Sequence, residues 1–195
     1  MLFTRWWCPV LVVLCIHGKS NGTHHVKVDS KSGVVVKRFV WGKRNPYVDL
    51  NGEDYFLLEY SILKRFNETR SQCKNTHAPT LLWGNIANLE LATSWGGYSL
   101  STSLGAKLFC EIPLTDALAQ GDCIDKQLKA ARVAHCDVLP KQVVVNEAKK
   151  VTLVDYDIAV LDNTPKFTTE KYLRYSNKTR RIYHALNLYH KQLCL

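Results

Sequence analysis

Asp155 and Asp157 stand two apart in Val151–Leu161, a stretch that reads as a β-strand, and paired carboxylates on one strand face can serve acid–base work. Val151 and Leu153 share that face, while Thr152, Val154, Tyr156 and Ile158 point the other way. The pair is read here as a solvated strand face rather than a reaction centre. Ser99, Ser101 and Ser103 follow Gly96-Gly97 without the strand-to-helix frame of a nucleophile elbow. The sequence contains no G-x-S-x-G, no H-E-x-x-H and no phosphate loop. His24-His25 and His135-Cys136 are adjacent pairs that do not converge easily on one ion, and no Cys-x-x-Cys or His-x3-His spacing occurs. The expectation is a protein without catalytic residues, metal or cofactor.

Cysteine is the other chemistry-bearing residue. The first eighteen residues carry Arg5 as their single charge, followed by an apolar run from Trp6 to Ile16. That run is shorter than the ~20 residues a membrane span requires and fits a signal peptide over residues 1–18. Cleavage after Ser20 would instead place small residues at both −1 and −3. Cys8 and Cys15 leave with such a segment, and Cys73, Cys110, Cys123, Cys136 and Cys194 enter an oxidising compartment where disulfides form. Five is odd, which leaves one thiol over, and Cys194, one residue from the end, is the natural candidate. A helix over 122–135, capped by Asp122, would hold Cys123 and Cys136 ~20 Å apart, against the ~4.4–6.8 Å a disulfide spans. Either that helix is short and the chain doubles back, or these two cysteines bond elsewhere.

The same export route gives meaning to three sequons, at Asn21, Asn67 and Asn177. Asn67 and Asn177 are expected on glycosylated surface, whereas Asn21 lies close to the new N-terminus. No later stretch approaches span length, and the chain ends without an anchor tail or a retrieval signal. Membrane association is therefore expected only through another protein.

Composition is that of ordinary folded material, 46% hydrophobic and 22% charged over 195 residues. The net charge of +9 is unevenly placed: residues 166–195 hold seven basic side chains against Glu170 alone. A nearly neutral body over residues 19–165 thus precedes a basic C-terminal tail over 166–195. Such a body in a secreted glycoprotein argues against nucleic acid as a partner.

The elements that must position these residues follow from pattern. Val26–Val28 and Val34–Val40 read as strands across a Ser32-Gly33 turn. Asn51 caps a helix in which Tyr55, Leu58, Ile62 and Phe66 keep helical spacing as far as Asn67. Thr80–Trp83 is a short strand or buried turn, and Trp95–Lys107 reads as loop or irregular strand. Gln142–Asn146 pairs with the strand beginning at Val151. The tail reads as a helix capped at Thr168, with Tyr172, Tyr175, Ile182, Leu186 and Tyr189 on one stripe. The fold class is α+β: a small disulfide-stabilised secreted domain with few short strands, two or three helices and much irregular chain. Trp41, Leu82, Trp83, Trp95 and Tyr98 are its recognition candidates, since Trp and Tyr anchor interfaces.

Cys73-Lys-Asn-Thr-His-Ala-Pro-Thr-Leu-Leu-Trp83 and Gly121-Asp-Cys123 with Cys136 resemble segments of the alphaherpesvirus glycoprotein L family, its avian members in particular. The likeness covers residues 55–140. The family's early cysteine has no counterpart in residues 19–72, and Trp95 is followed by Gly-Gly where the family has Asn-Pro. The resemblance implies disulfides Cys123–Cys136 and Cys73–Cys110, with Cys194 spare. It implies a non-enzymatic subunit that forms a heterodimer with the membrane-anchored glycoprotein H, supports its folding and transport, and regulates fusion driven by glycoprotein B. Residence on the virion envelope and the host cell membrane follows from that role. The competing reading is a secreted glycoprotein acting alone as an immune-modulating ligand or decoy.

Overall fold

β-Branched residues on both sides of a turn start the fold: His24–Asp29 (β1) and Val34–Phe39 (β2) pair antiparallel, and the Asp29 carboxylate accepts from the Lys31 and Ser32 amides at 3.1 and 3.4 Å. The computed structural model describes residues 24–29, 31–42, 50–69, 73, 76–162 and 181–195. Over them the chain is α+β, with four helices and several short strands. Leu81–Asn85 (β3) and Glu90–Ser94 (β4) complete an antiparallel sheet of order β1-β2-β4-β3.

Gly52–Glu68 (α1) covers one face of this sheet and begins as expected. The Asn51 side chain accepts from the Asp54 amide and the Asp54 carboxylate accepts from the Asn51 amide, a reciprocal cap. Tyr55, Phe56, Leu58, Ile62 and Leu63 are buried. They join Phe39 of β2 and Leu91 of β4 in a core that runs on through the rest of the chain.

Two regions depart from expectation. Trp95–Lys107, expected as loop or irregular strand, holds one short strand, Tyr98–Ser99 (β5), and also the unexpected start of a helix, Ser103–Cys110 (α2), capped by the Thr102 hydroxyl, which accepts from the Gly105 amide at 3.1 Å. Its loop-like composition has a packing cause, because a Cβ on Gly105 would lie 1.9 Å from the Ser99 carbonyl oxygen. The helix expected from an Asp122 cap instead spans Leu114–Ala131 (α3), begins behind Pro113, and ends at Arg132 in the left-handed region, φ 54°. Asp122 lies inside it, paired with Lys126 one turn on. Asp125 caps another helix: its carboxylate oxygens accept from the amides of Ile182 and Tyr183.

That second helix is Ile182–Leu193 (α4), which buries Ile182, Ala185, Leu186 and Tyr189 and packs chiefly on α3. The expected Thr168 cap, Tyr172 and Tyr175 lie outside the described residues. Between α3 and α4 run Val133–Ala134 (β6), Val143–Val145 (β7), Val151–Leu153 (β8) and Val160–Leu161 (β9). β5-β7-β8 form one small antiparallel sheet and β6-β9 another.

The cysteine alternatives resolve in favour of the long helix. Cys73 bonds Cys123 and Cys110 bonds Cys194, with Cα separations of 5.9 and 5.2 Å. The pairings Cys73–Cys110 and Cys123–Cys136 are therefore corrected. From Cys123 the helix continues to Ala131, a rise of ~12 Å, which carries Cys136 out of reach; its Sγ lies 3.3 Å from the Ala134 carbonyl oxygen instead. Cys194 is not spare, because α4 docks on α2 and α3 and brings the chain end to Cys110.

Candidate functional site

The residues singled out for recognition fall into two places. Leu82 and Trp83 lie on β3, which among the described residues has β4 on one side and no strand on the other. Leu91 points into the core, so its neighbour Ala92 points away from it, and Trp83 stands opposite Ala92 on that outer face. Leu82 and Trp83 are 48% and 45% exposed, and Ile86 in the following turn is 53% exposed. Trp41, 58% exposed, leaves β2 at the same end of the sheet as that turn, since the Phe39 amide donates to the Leu89 carbonyl. Asn67 is exposed on the last turn of α1, its Nδ2 3.5 Å from the Leu81 carbonyl oxygen, so the expected glycan flanks the start of β3. Asn21 and Asn177 lie outside the described residues.

Trp95 and Tyr98 form the second place. Their rings meet edge to face with centroids 5.0 Å apart and, with Asn146, Glu147 and Ala148, line an open cleft of about 370 Å³. Gly97 makes this possible: φ is 124°, and an added Cβ would lie 2.3 Å from the Val145 carbonyl. Pairing of Tyr98 with Val145 then fixes the aromatic pair beside the β7–β8 turn.

Asp155 and Asp157 lie beyond the strand rather than on it, with 33% and 14% of their side-chain surface exposed. β8 ends at Leu153, Asp155 takes a left-handed conformation (φ 69°), and the turn aims both carboxylates at Lys37 of β2. Lys37 Nζ lies 2.7 Å from Glu59 of α1, 2.7 Å from Asp155 and 3.9 Å from Asp157, and sits 5.1 Å from the Phe39 ring centroid. His24 Nδ1 is 3.6 Å from Asp157. One buried cation thus serves three carboxylates, and the surplus negative charge decides their protonation. Burial pushes Asp155 up, but the Lys37 ammonium outweighs it and holds the carboxyl well below the usual range. The cost of burial then falls on the other two: Glu59 is pushed up to about 7 and Asp157 to about 6. Burial and Lys37 together drop His24 to about 4. Burial alone would depress Lys37, yet Asp155, Glu59 and Asp157 raise it. The donor atoms of His24, Asp155 and Asp157 lie within 4.8 Å of one another, but the Lys37 ammonium already supplies a cation to both carboxylates. The cluster's visible work is structural: it ties β1, β2 and α1 to the turn after β8.

The remaining candidate chemistry is also committed to structure. Ser99 Oγ is bonded to the Ser101 hydroxyl and to the Pro140 and Lys141 carbonyls. His77 Nδ1 donates to the Val151 carbonyl and His135 Nε2 to the Val154 carbonyl, at 2.7 and 2.9 Å. Burial lowers the pKa of both rings.

Sequence reasoning missed Lys37, Glu59, Ile86 and Glu147. Glu59 carried a signal, since it lies four residues after Tyr55 and three before Ile62, on the buried stripe of α1. No protein-family model and no curated protein matches the chain. No helix among the described residues is long and apolar enough to cross a membrane, and the two disulfides fit an extracellular or secreted setting.

Proposed function

We propose that this chain is a non-enzymatic subunit of an extracellular complex and docks on its partner through the free edge of β3. The observation that carries the reading is the contrast between the two edges of the four-stranded sheet. Edge strands are normally blunted by charge or proline to prevent pairing with other chains. β1 follows that rule with Lys27 and Asp29, whereas Leu81-Leu-Trp-Gly-Asn85 has neither device and exposes Leu82 and Trp83. An apolar patch of this kind marks a protein–protein surface. Covering the exposed halves of Leu82, Trp83 and Ile86 is worth roughly 1 kcal/mol each.

The resemblance to alphaherpesvirus glycoprotein L supplies the partner's identity: membrane-anchored glycoprotein H, whose folding and transport this subunit supports, with regulation of glycoprotein B-driven fusion following from the heterodimer. The chain then resides on the virion envelope and the host cell surface as a peripheral protein held by that partner. Co-expression with glycoprotein H tests the reading. Each protein is expected to raise the other's export, and Leu82→Lys with Ile86→Lys to abolish the effect at an unchanged melting temperature. Export of both proteins unaffected by co-expression overturns the reading; so does a charged edge that still pairs.

A further inference from the structure

We infer that the Trp95–Tyr98 cleft is a receptor for a guanidinium group, the side chain of an arginine presented by another chain. Its walls are two aromatic rings held edge to face at 5.0 Å, both partly exposed. A flat cation stacks on such faces through the ring quadrupole, and guanidinium does so better than ammonium because it is planar and weakly hydrated.

Glu147 sets the sign of the ligand. Its carboxylate lines the same cleft, is exposed, and makes no ion pair or hydrogen bond among the described residues. The neighbouring lysines do not neutralise it. Lys149 is paired with Glu111, and Lys150 is partly buried within electrostatic reach of His77. A carboxylate beside two aromatic faces is complementary to an incoming cation and repels an anion.

The site is built rather than accidental. The Asn146 amide donates to the Lys150 carbonyl, the Lys149 amide to the Asn146 carbonyl, and Asn146 Oδ1 accepts from the Lys150 amide, so the turn carrying Glu147 is pinned on three bonds. The opposite wall is fixed by the Tyr98–Val145 pairing and by the Trp95 amide, which donates to Gly33 at 2.7 Å. The backbone that carries Glu147 and the two aromatic rings are therefore held in place before any ligand arrives, which lowers the ordering cost of binding. The inference rests on the docking reading only in taking the arginine from a partner protein.

The test uses the full glycosylated chain with 15N-labelled tryptophan. N-acetylarginine methylamide is titrated against its neutral isostere, N-acetylcitrulline methylamide. The expected result is a saturable shift of one indole signal, assigned to Trp95 by its loss in Trp95→Phe, with arginine and not with citrulline. Glu147→Gln weakens that binding about threefold at an unchanged melting temperature. Equal shifts with both probes, a shift insensitive to Glu147→Gln, a response at another tryptophan, or no shift up to about 100 mM arginine probe each overturn the proposal. None of these readouts depends on glycoprotein H, so failure here is distinct from failure of co-export.

Discussion

Replacing Glu59 by Gln isolates the surplus charge of the buried cluster. Glu59 is enclosed, with 7% of its side-chain surface exposed, and shares Lys37 with Asp155 and Asp157. Its folded pKa of about 7 lies above the ordinary 4.5, so the folded state binds a proton that the unfolded chain releases. The stability this contributes is complete below pH 4.5 and is lost as pH rises through 7. The gap of about 2.5 pH units is worth roughly 3 kcal/mol. Glutamine keeps the shape and cannot ionise. The measurement is urea unfolding of both proteins between pH 5 and pH 8. The expected outcome is that wild type minus variant gains roughly 2–3 kcal/mol on going from pH 8 to pH 5. Taking the difference removes the histidines, whose titration runs the other way: His24, His77 and His135 are depressed, so each loses stability as pH falls below its ordinary 6.5. A difference that is flat with pH would show that Lys37 compensates Glu59 fully, and one that grows with pH would reverse the sign; either result refutes the reasoning.

Two further predictions bear on the framework. Mass spectrometry of unreduced peptides recovers Cys73–Cys123 and Cys110–Cys194, and Cys194→Ser, which opens a link across 84 residues, costs about 4 kcal/mol in urea unfolding; a Cys123–Cys136 peptide overturns this connectivity. Gly105→Ala lowers stability by about 1–3 kcal/mol although alanine favours helix, because its Cβ would meet the Ser99 carbonyl at 1.9 Å; a rise in melting temperature contradicts the close approach of α2 to β5.

What could be read from sequence were the elements whose signals are local. Asn51 with Asp54 fixes the start of α1, and the β1–β2 turn lies between two β-branched runs. The Val143–Val145 and Val151–Leu153 pairing follows from composition and spacing alike. Where a local signal was read wrongly, a distant contact had claimed the residue. Asp125 looks like part of its own helix's first turn, yet it caps α4 from 57 residues away. Gly105 looks like loop punctuation because only a glycine fits beneath Ser99. Disulfide connectivity is not encoded by spacing at all, since it depends on where α4 docks. In β2 both faces are apolar, Val34 and Val36 on one side and Val35 and Phe39 on the other, so alternation could not show that Lys37 faces inward.

The cluster and the apolar edge are linked through one sheet. Lys37 fixes β2 to α1 and to the turn after β8, β4 is hydrogen-bonded along β2, and β3 is the next strand out. The edge is therefore carried by strands whose position the cluster determines, and Leu82 and Trp83 are presented on a preorganised support, so that a partner meets little ordering cost on this side. Protonation of Glu59 and Asp157 on mild acidification relieves surplus negative charge without removing the Lys37–Asp155 pair, because Asp155 stays ionised. The Lys37–Asp155 tie between β2 and the turn after β8 therefore persists through that change.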